Sequence, residues 1–374
     1  MKQSRLQTSY LYFVYLAMSV LVICSLLARF RIINDTLCSL SDLILPLVYL
    51  IVFIVLIISY FLSLYRDIFW KNLFIFVGTP LLLWPPLWLL RTTPPSRVET
   101  QVVRISTWNV ARMGELAMND QKQQKKASLN CVRTTLNQTH SDLFALQEIS
   151  KRRVRDLEKQ MKIRCKHVDY YGVGGGDVGG LAICARIDSQ WHINFARNFQ
   201  LEGRWRALFA EIENHGVRDK IRFNLLNVHF LPHYINTSTI KNVVNDLAQG
   251  SLHQALNLLR QMIETTRKQA QQAESLMKVV QTFVDPTILV GDFNSPAHSK
   301  VHWVLGQEWT DTWKQSGIDF GATRYFAGWL PFRVDFIYAH KHAFEALSSF
   351  VQNSQCSDHE PLSTDLRFIM KDTP

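Results

Sequence analysis

Three stretches of the chain contain no Asp, Glu, Lys or Arg: Tyr10–Ala28, Leu43–Tyr65 and Asn72–Leu90. Each comes close to the ~20 apolar residues that a helix needs to cross a ~30 Å hydrocarbon core. Inside lipid every backbone N–H and C=O needs an internal partner, so such runs are expected to be helices. A signal peptide has an apolar stretch of only roughly 7–15 residues, and the first run is longer and is followed by two more. Three runs in succession are also hard to bury as core helices in a domain of this size. The third contains Pro80, Pro85 and Pro86, which break helix hydrogen bonds, so it is expected to kink or to lie partly in the interface. Trp70 and Trp88 suit its two interfacial ends. With the N-terminus inside, the inner flanks carry Lys2, Arg5, Arg66 and Lys71, and the outer flanks Arg29, Arg31, Arg91 and Arg97. Four cations on each side select no orientation.

Charge returns abruptly after the third run. Residues 1–91 hold seven basic and three acidic side chains, a net of +4, whereas the remainder of the 374 residues holds 34 and 28, a net of +6. The second density is that of an ordinary globular domain, which excludes a disordered chain and a disulfide-stapled miniprotein. Residues 1–91 therefore read as a membrane region with helices at 10–28, 43–65 and 72–90. Residues 92–100, which take in most of the polar, Pro-containing stretch RTTPPSRVE (91–99), read as a linker. Residues 101–374 read as one domain. The six Cys are scattered with no CxxC, which predicts neither a zinc site nor a disulfide framework.

Within that domain, strand-like segments are expected at Val102–Trp108, Asp142–Gln147, Leu181–Ile187, Trp205–Ile212, Ile221–Val228, Thr287–Val290, Val334–Tyr338 and Leu362–Leu366. Gln121–Thr139 and Ser150–Met161 read as helices. Thr239–Phe283 is a long helical region with a break at Ala248–Ser251, where Gly250 is the stop. Many strands with few helices predict an α/β fold of stacked sheets covered by outer helices.

Polar residues recur where these apolar strands end. Asn109 follows VVRISTW, Glu148 follows DLFALQ, and His229 follows FNLLNV. Asp292 and Asn294 follow TILVG, Asp335 lies in FRVDFIY, and Asp358 and His359 lie in CSDHEPL. Strand ends converge on one rim of a sheet, so these side chains can meet. Singly, each has a plainer explanation: a lone Glu at a strand end is usually solvated, a lone His structural, and GDFN can be only a turn. Together they offer carboxylates, amides and two imidazoles, with no thiol and no activated serine. Hard oxygen ligands suit Mg²⁺ or Mn²⁺ rather than zinc. Imidazoles beside carboxylates suit proton transfer and stabilisation of a phosphoryl transition state.

The segments STWNV, LQE, GGLAICAR, NVHF, VGDFNSP, RVDFIY and SDHEPL occur in this order over Val102–Leu366. The domain thereby resembles the endonuclease/exonuclease/phosphatase superfamily, the DNase I-like fold. The resemblance implies a four-layered α/β sandwich and Mg²⁺-dependent hydrolysis of a phosphoester by in-line attack of water. It implies Glu148 as principal metal ligand, with Asn109 and Asp358. It implies Asp292 as the group that orients or activates the water, and Asn294 as a phosphate contact. It further implies His359, steadied by Asp335, as stabiliser of phosphate charge or proton carrier, and His229 near the leaving group. Two features depart from the family. Ala111 stands where some nucleases have a second acidic ligand, and the inositol 5-phosphatase signatures around GDxN are not evident. Thr239–Thr265 resembles an insertion ahead of the usual helix, Thr266–Phe283.

Three apolar runs ahead of such a domain resemble a membrane-anchored bacterial branch, which includes proteins linked to glycopeptide resistance and lipid-pyrophosphate chemistry. This implies a multi-pass inner-membrane protein with an extracytoplasmic enzyme domain. An anchor holds the site where lipid headgroups are concentrated, so a phosphorylated lipid is the first expected substrate. Nucleic acid is the second, from the net positive charge. No protein partner is indicated. Ile235–Glu264, whose Leu252, Leu256, Leu259 and Ile263 fall on one helix face, is expected either to pack on the domain or to shape substrate access.

Overall fold

The computed structural model describes residues 102–369 except 112–120, 170–178, 202–205, 215–220, most of 234–250, 298, 327–329 and 355. The three charge-free runs and the linker lie outside the described residues. No helix among the described residues is long and apolar enough to cross a membrane.

The elements run β1 (Val102–Asn109), α1 (Gln121–Gln138), β2 (Leu143–Gln147), α2 (Lys151–Gln160), β3 (Ile163–Asp169), β4 (Gly180–Arg186), β5 (Trp191–Gln200), β6 (Arg206–Asn214) and β7 (Arg222–His229). They continue as α3 (His253–Val280), β8 (Thr287–Asp292), α4 (Lys300–Leu305), β9 (Trp309–Asp311), α5 (Thr312–Ser316), β10 (Arg324–Phe326), β11 (Leu330–Phe332), β12 (Asp335–His340), β13 (Phe344–Val351) and β14 (Leu362–Phe368). Two six-stranded sheets result, in the orders β13-β14-β1-β2-β4-β3 and β5-β6-β7-β8-β12-β9, with β10-β11 a separate hairpin.

The apolar runs of β1, β2, β7 and β8 are buried on both faces, as central strands of covered sheets must be. One cluster, including Ile105, Leu143, Ile183, Leu225, Val290 and Ile337, fills the space between the two sheets. A second joins α3 and α4 to the outside of the second sheet through Leu276, Leu305, Leu226 and Phe336. A third joins α1 and α2 to the outside of the first through Leu136, Leu157, Phe144 and Leu146. The layers are therefore helix, sheet, sheet, helix.

The helix α3 is the crossover between the parallel pair β7 and β8. It is continuous through residue 265, so no boundary separates the expected insertion from the expected family helix. The expected break before it is present, since helical residues at 245–246 give way to a turn and α3 begins at His253. The Gln269 amide donates to the carbonyls of Leu231 and Asn294, just beyond the ends of β7 and β8. Gln269 thus marks the level of the sheet rim. Residues 253–268 add about 24 Å of helix at ~1.5 Å per residue, leading away from that level. Leu252, just before α3, and Leu256 in its first turn are 61% and 50% exposed, so they are not core.

Two cysteine pairs correct the expectation of no disulfides. Cys131 of α1 is bonded to Cys356, and Cys165 of β3 to Cys184 of β4. Neither could be read from spacing, because the partners are 225 and 19 residues apart. The first is closed by tertiary folding and the second by antiparallel register, where Cys165 faces Cys184.

His302 gives a pH-dependent term in stability. Its Nε2 donates to the Ser295 carbonyl at 3.0 Å, which leaves Nδ1 to accept from the Tyr338 hydroxyl at 2.7 Å. Burial lowers its pKa from 6.5 to about 3. The unfolded chain therefore binds a proton below pH 6.5 that the folded chain refuses until about pH 3. This contribution is complete above pH 6.5 and is lost between 6.5 and 3, by up to roughly 5 kcal/mol at ~1.4 kcal/mol per pH unit. His302→Gln is expected to flatten the fall of Tm between pH 6.5 and 4 relative to wild type. Parallel profiles in the two proteins would contradict it.

Candidate active site

Strand register assembles the polar residues. In the second sheet, His229 of β7 pairs with Asp292 of β8, and Asp292 pairs with Asp335 of β12. Three functional side chains thus form one row across three strands. In the first sheet, Asn109 of β1 pairs with Gln147 of β2, and Glu148 follows at once. The two sheets are pinned together behind this rim. Gln147 donates to Asn227 Oδ1 at 2.7 Å, and Asn227 donates to the carbonyls of Leu146 and Ala182. Neither residue was expected to matter from sequence, although both sit inside the LQE and NVH motifs.

The glycines of the motifs permit close approach. Gly291 has φ +142°, and a Cβ there would lie 2.0 Å from the Val228 carbonyl oxygen. A Cβ on Gly179 would lie 2.8 Å from the Glu148 Cα. Glu148 and Asn294 themselves adopt φ of 53° and 48°, and Ala111 has φ 43°. Left-handed backbone at non-glycine residues is costly and gathers at functional sites.

Asp292 Oδ2 is the centre of the arrangement. It accepts from the Asn109 amide at 3.0 Å and lies 3.5 Å from His229 Nε2 and 3.7 Å from His359 Nε2. The Asn109 amide also donates to Glu148 Oε1 at 3.1 Å, and that oxygen is 3.8 Å from His229 Nε2. His359 Nδ1 donates to Asp335 Oδ2 at 2.8 Å. Burial alone would raise the Asp292 pKa, but His359, His229, the Asn109 amide and Arg324 hold it below the usual carboxylate range. Burial opposes a charge on His359, yet Asp335 and Asp292 outweigh it and raise its pKa to about 9. Burial lifts the Asp335 pKa as well. We place the shared proton on the imidazole, because His359 faces two carboxylates.

The loop bearing Asp358 and His359 is stitched to β1 and β10. Ser357 Oγ donates to the Asn109 carbonyl and accepts from the His359 N–H. The Trp108 indole donates to the His359 carbonyl. Thr323 Oγ1 accepts the N–H of Val334 and Asp335, and its carbonyl accepts from Glu360.

Of the expected site residues, Asn109, Glu148, His229, Asp292, Asp335 and His359 meet. Asn294 is adjacent but its amide donates to the Phe230 carbonyl. Asp358 is turned aside: its carboxylate accepts from Arg324 at 3.0 Å and is 52% exposed. Asp292, Asp335 and His359 offer ligand atoms all within 4.8 Å of one another. The Glu148 carboxylate and the Asn109 amide oxygen beside Asp292 are hard oxygen donors of the kind that fits a divalent cation.

Residues 106–359, more than half of the chain, match the endonuclease/exonuclease/phosphatase family. The chain belongs to this family. Its members are metal-dependent hydrolases of phosphoester bonds, and this protein is one. Solved structures share the fold. One from Bacteroides vulgatus, described as an endonuclease/exonuclease/phosphatase, has a TM-score of 0.55 at 16% identity, covering 72% of this chain and 100% of that one. A functionally unknown conserved protein from Enterococcus faecalis V583 has 0.52 at 18%, covering 71% and 100%. The human Nocturnin catalytic domain with bound sulfate has 0.50 at 16%, covering 75% and 100%. Comparison with curated proteins gives no match.

Proposed function

We propose that the protein is a membrane-anchored phosphoesterase, dependent on Mg²⁺ or Mn²⁺, that hydrolyses the phosphate ester or pyrophosphate of a lipid. The observation that carries the chemistry is the position of Asp292 Oδ2 between the Asn109 amide and two imidazoles. Glu148 and Asn109 hold the cation, which neutralises phosphate charge when bound. Asp358 completes that set only if it leaves Arg324. Asp292 orients the attacking water and receives its proton as the new P–O bond forms and the bond from phosphorus to the leaving oxygen, on the opposite side, breaks. His359, with Asp335 fixing its orientation and holding its charge, stabilises the phosphate charge, and Asn294 contacts the phosphate. His229 stands beside the leaving oxygen.

The lipid is supported by the three charge-free runs, which as membrane helices would hold the domain at a bilayer. It is also supported by the exposed Leu252 and Leu256 at the end of α3 that leads away from the rim. The two disulfides support an extracytoplasmic domain, since disulfides persist in oxidising compartments. A C-terminal alkaline phosphatase fusion checks the side, being active only outside the cytoplasm.

The purified full chain with Mg²⁺ should be offered a lipid pyrophosphate, sphingomyelin, phosphoinositides and plasmid DNA. Turnover of one lipid, with DNA intact, is the expected result. Cleavage of DNA alone would replace the lipid with nucleic acid, the reading favoured by the net positive charge.

A further inference from the structure

We propose that Arg324 contacts the phosphate and selects a terminal phosphoryl group, that of a monoester or pyrophosphate, over an internal diester. The inference rests on the phosphoesterase reading above. Arg324 opens β10, and its backbone forms an antiparallel bridge with His359. The preceding Thr323 holds the backbone of Asp335 through its hydroxyl and that of Glu360 through its carbonyl. The arginine is therefore fixed by the same strands that position the His359–Asp335 pair.

Its side chain is anchored but not used up. Nη2 donates to Asp358 Oδ2 at 3.0 Å, and the side chain is 40% exposed. Among the described residues this is the guanidinium's one hydrogen bond, so Nε and Nη1 remain for a ligand. Its charge is felt at both Asp292 and His359. Asp358, expected as a metal ligand, here acts as the holder of this cation.

A guanidinium presents its N–H donors as a planar fork that matches two oxygens of one phosphate. A terminal phosphoryl group has three non-bridging oxygens. One can face the Glu148 and Asn109 end of the site while two remain for the fork. A diester has only two, so the fork and that end of the site compete for them. The arginine therefore contributes more to a terminal phosphate than to a diester.

A purely structural role is the competing explanation. Arg324 would then only staple the 356–360 loop through Asp358, and its loss would affect every substrate alike. The test uses full-length wild type, Arg324→Ala and Arg324→Lys in detergent with Mg²⁺. Inorganic phosphate binding is measured by calorimetry, and kcat/KM is measured on p-nitrophenyl phosphate and bis(p-nitrophenyl) phosphate. Arg324→Ala is expected to weaken phosphate binding and monoester turnover by roughly 10- to 100-fold, and diester turnover by less than about threefold. Arg324→Lys should recover part of both, as a point charge without the fork. Unchanged phosphate binding, or equal losses on the two esters, would overturn the proposal. Wild type that hydrolyses neither ester nor any member of the substrate panel would overturn the phosphoesterase reading instead. Phosphate binding alone would then decide the role of Arg324.

Discussion

Asp292→Asn is expected to lower kcat by roughly 10²- to 10⁴-fold, the range for a positioned proton-transfer group. The fold should survive, because the substitution keeps the shape at a site where Asp292 is fully buried. The amide removes the charge that faces Asn109, His229 and His359 together. It also presents a donor, in place of an acceptor, to one of these neighbours. Asp292 Oδ1 accepts the Asn294 N–H at 2.8 Å, a bond that holds the GDFN turn. An asparagine oxygen can keep that bond, so the loss should lie in kcat and not in Tm. A variant that retains kcat within a few-fold would remove Asp292 from the chemistry.

His359→Ala and Asp335→Asn are expected to fail as a unit. Asp335 touches the reaction only through the 2.8 Å bond to His359 Nδ1. Each single substitution should cost roughly 10²- to 10⁴-fold in kcat, and the double mutant should be barely worse than the more damaged single one. Fully additive losses would show that the two act separately. The singles should also differ in character. Removing Asp335 leaves a buried imidazole that no longer has its tautomer fixed, whereas removing His359 leaves a buried carboxylate with one oxygen that already has no hydrogen-bond partner.

Much of the site was legible in the sequence, because several of its residues stand at the rim ends of apolar central strands. Asn109, Glu148, His229 and Asp292 end or follow β1, β2, β7 and β8, whose halves nearest the site are buried and therefore stand out as apolar runs. The long strands that escaped notice are β3, β5 and β13, and each is an edge of its sheet. An edge strand is only half covered, so its sequence carries exposed polar residues and loses the apolar signal, as in Trp191–Gln200. Register was equally invisible: nothing local says that His229, Asp292 and Asp335 share one row. Pairings set by tertiary folding escaped for the same reason. The Cys131–Cys356 bond, the Gln147–Asn227 pin and the turn of Asp358 towards Arg324 all join residues brought together only by the packed sheets.

In the proposed mechanism hydrolysis requires a divalent cation held at Glu148 and Asn109. This requirement is tested most directly by phosphate release from p-nitrophenyl phosphate and a lipid pyrophosphate. Release is followed with Mg²⁺, after excess EDTA, and after Mg²⁺ is restored. Wild type should fall to background in EDTA and recover on readdition. Glu148→Ala should start roughly 10²-fold lower or worse, a loss of about 3 kcal/mol at ~1.4 kcal/mol per decade. Full activity of the wild type in excess EDTA would exclude a cation requirement.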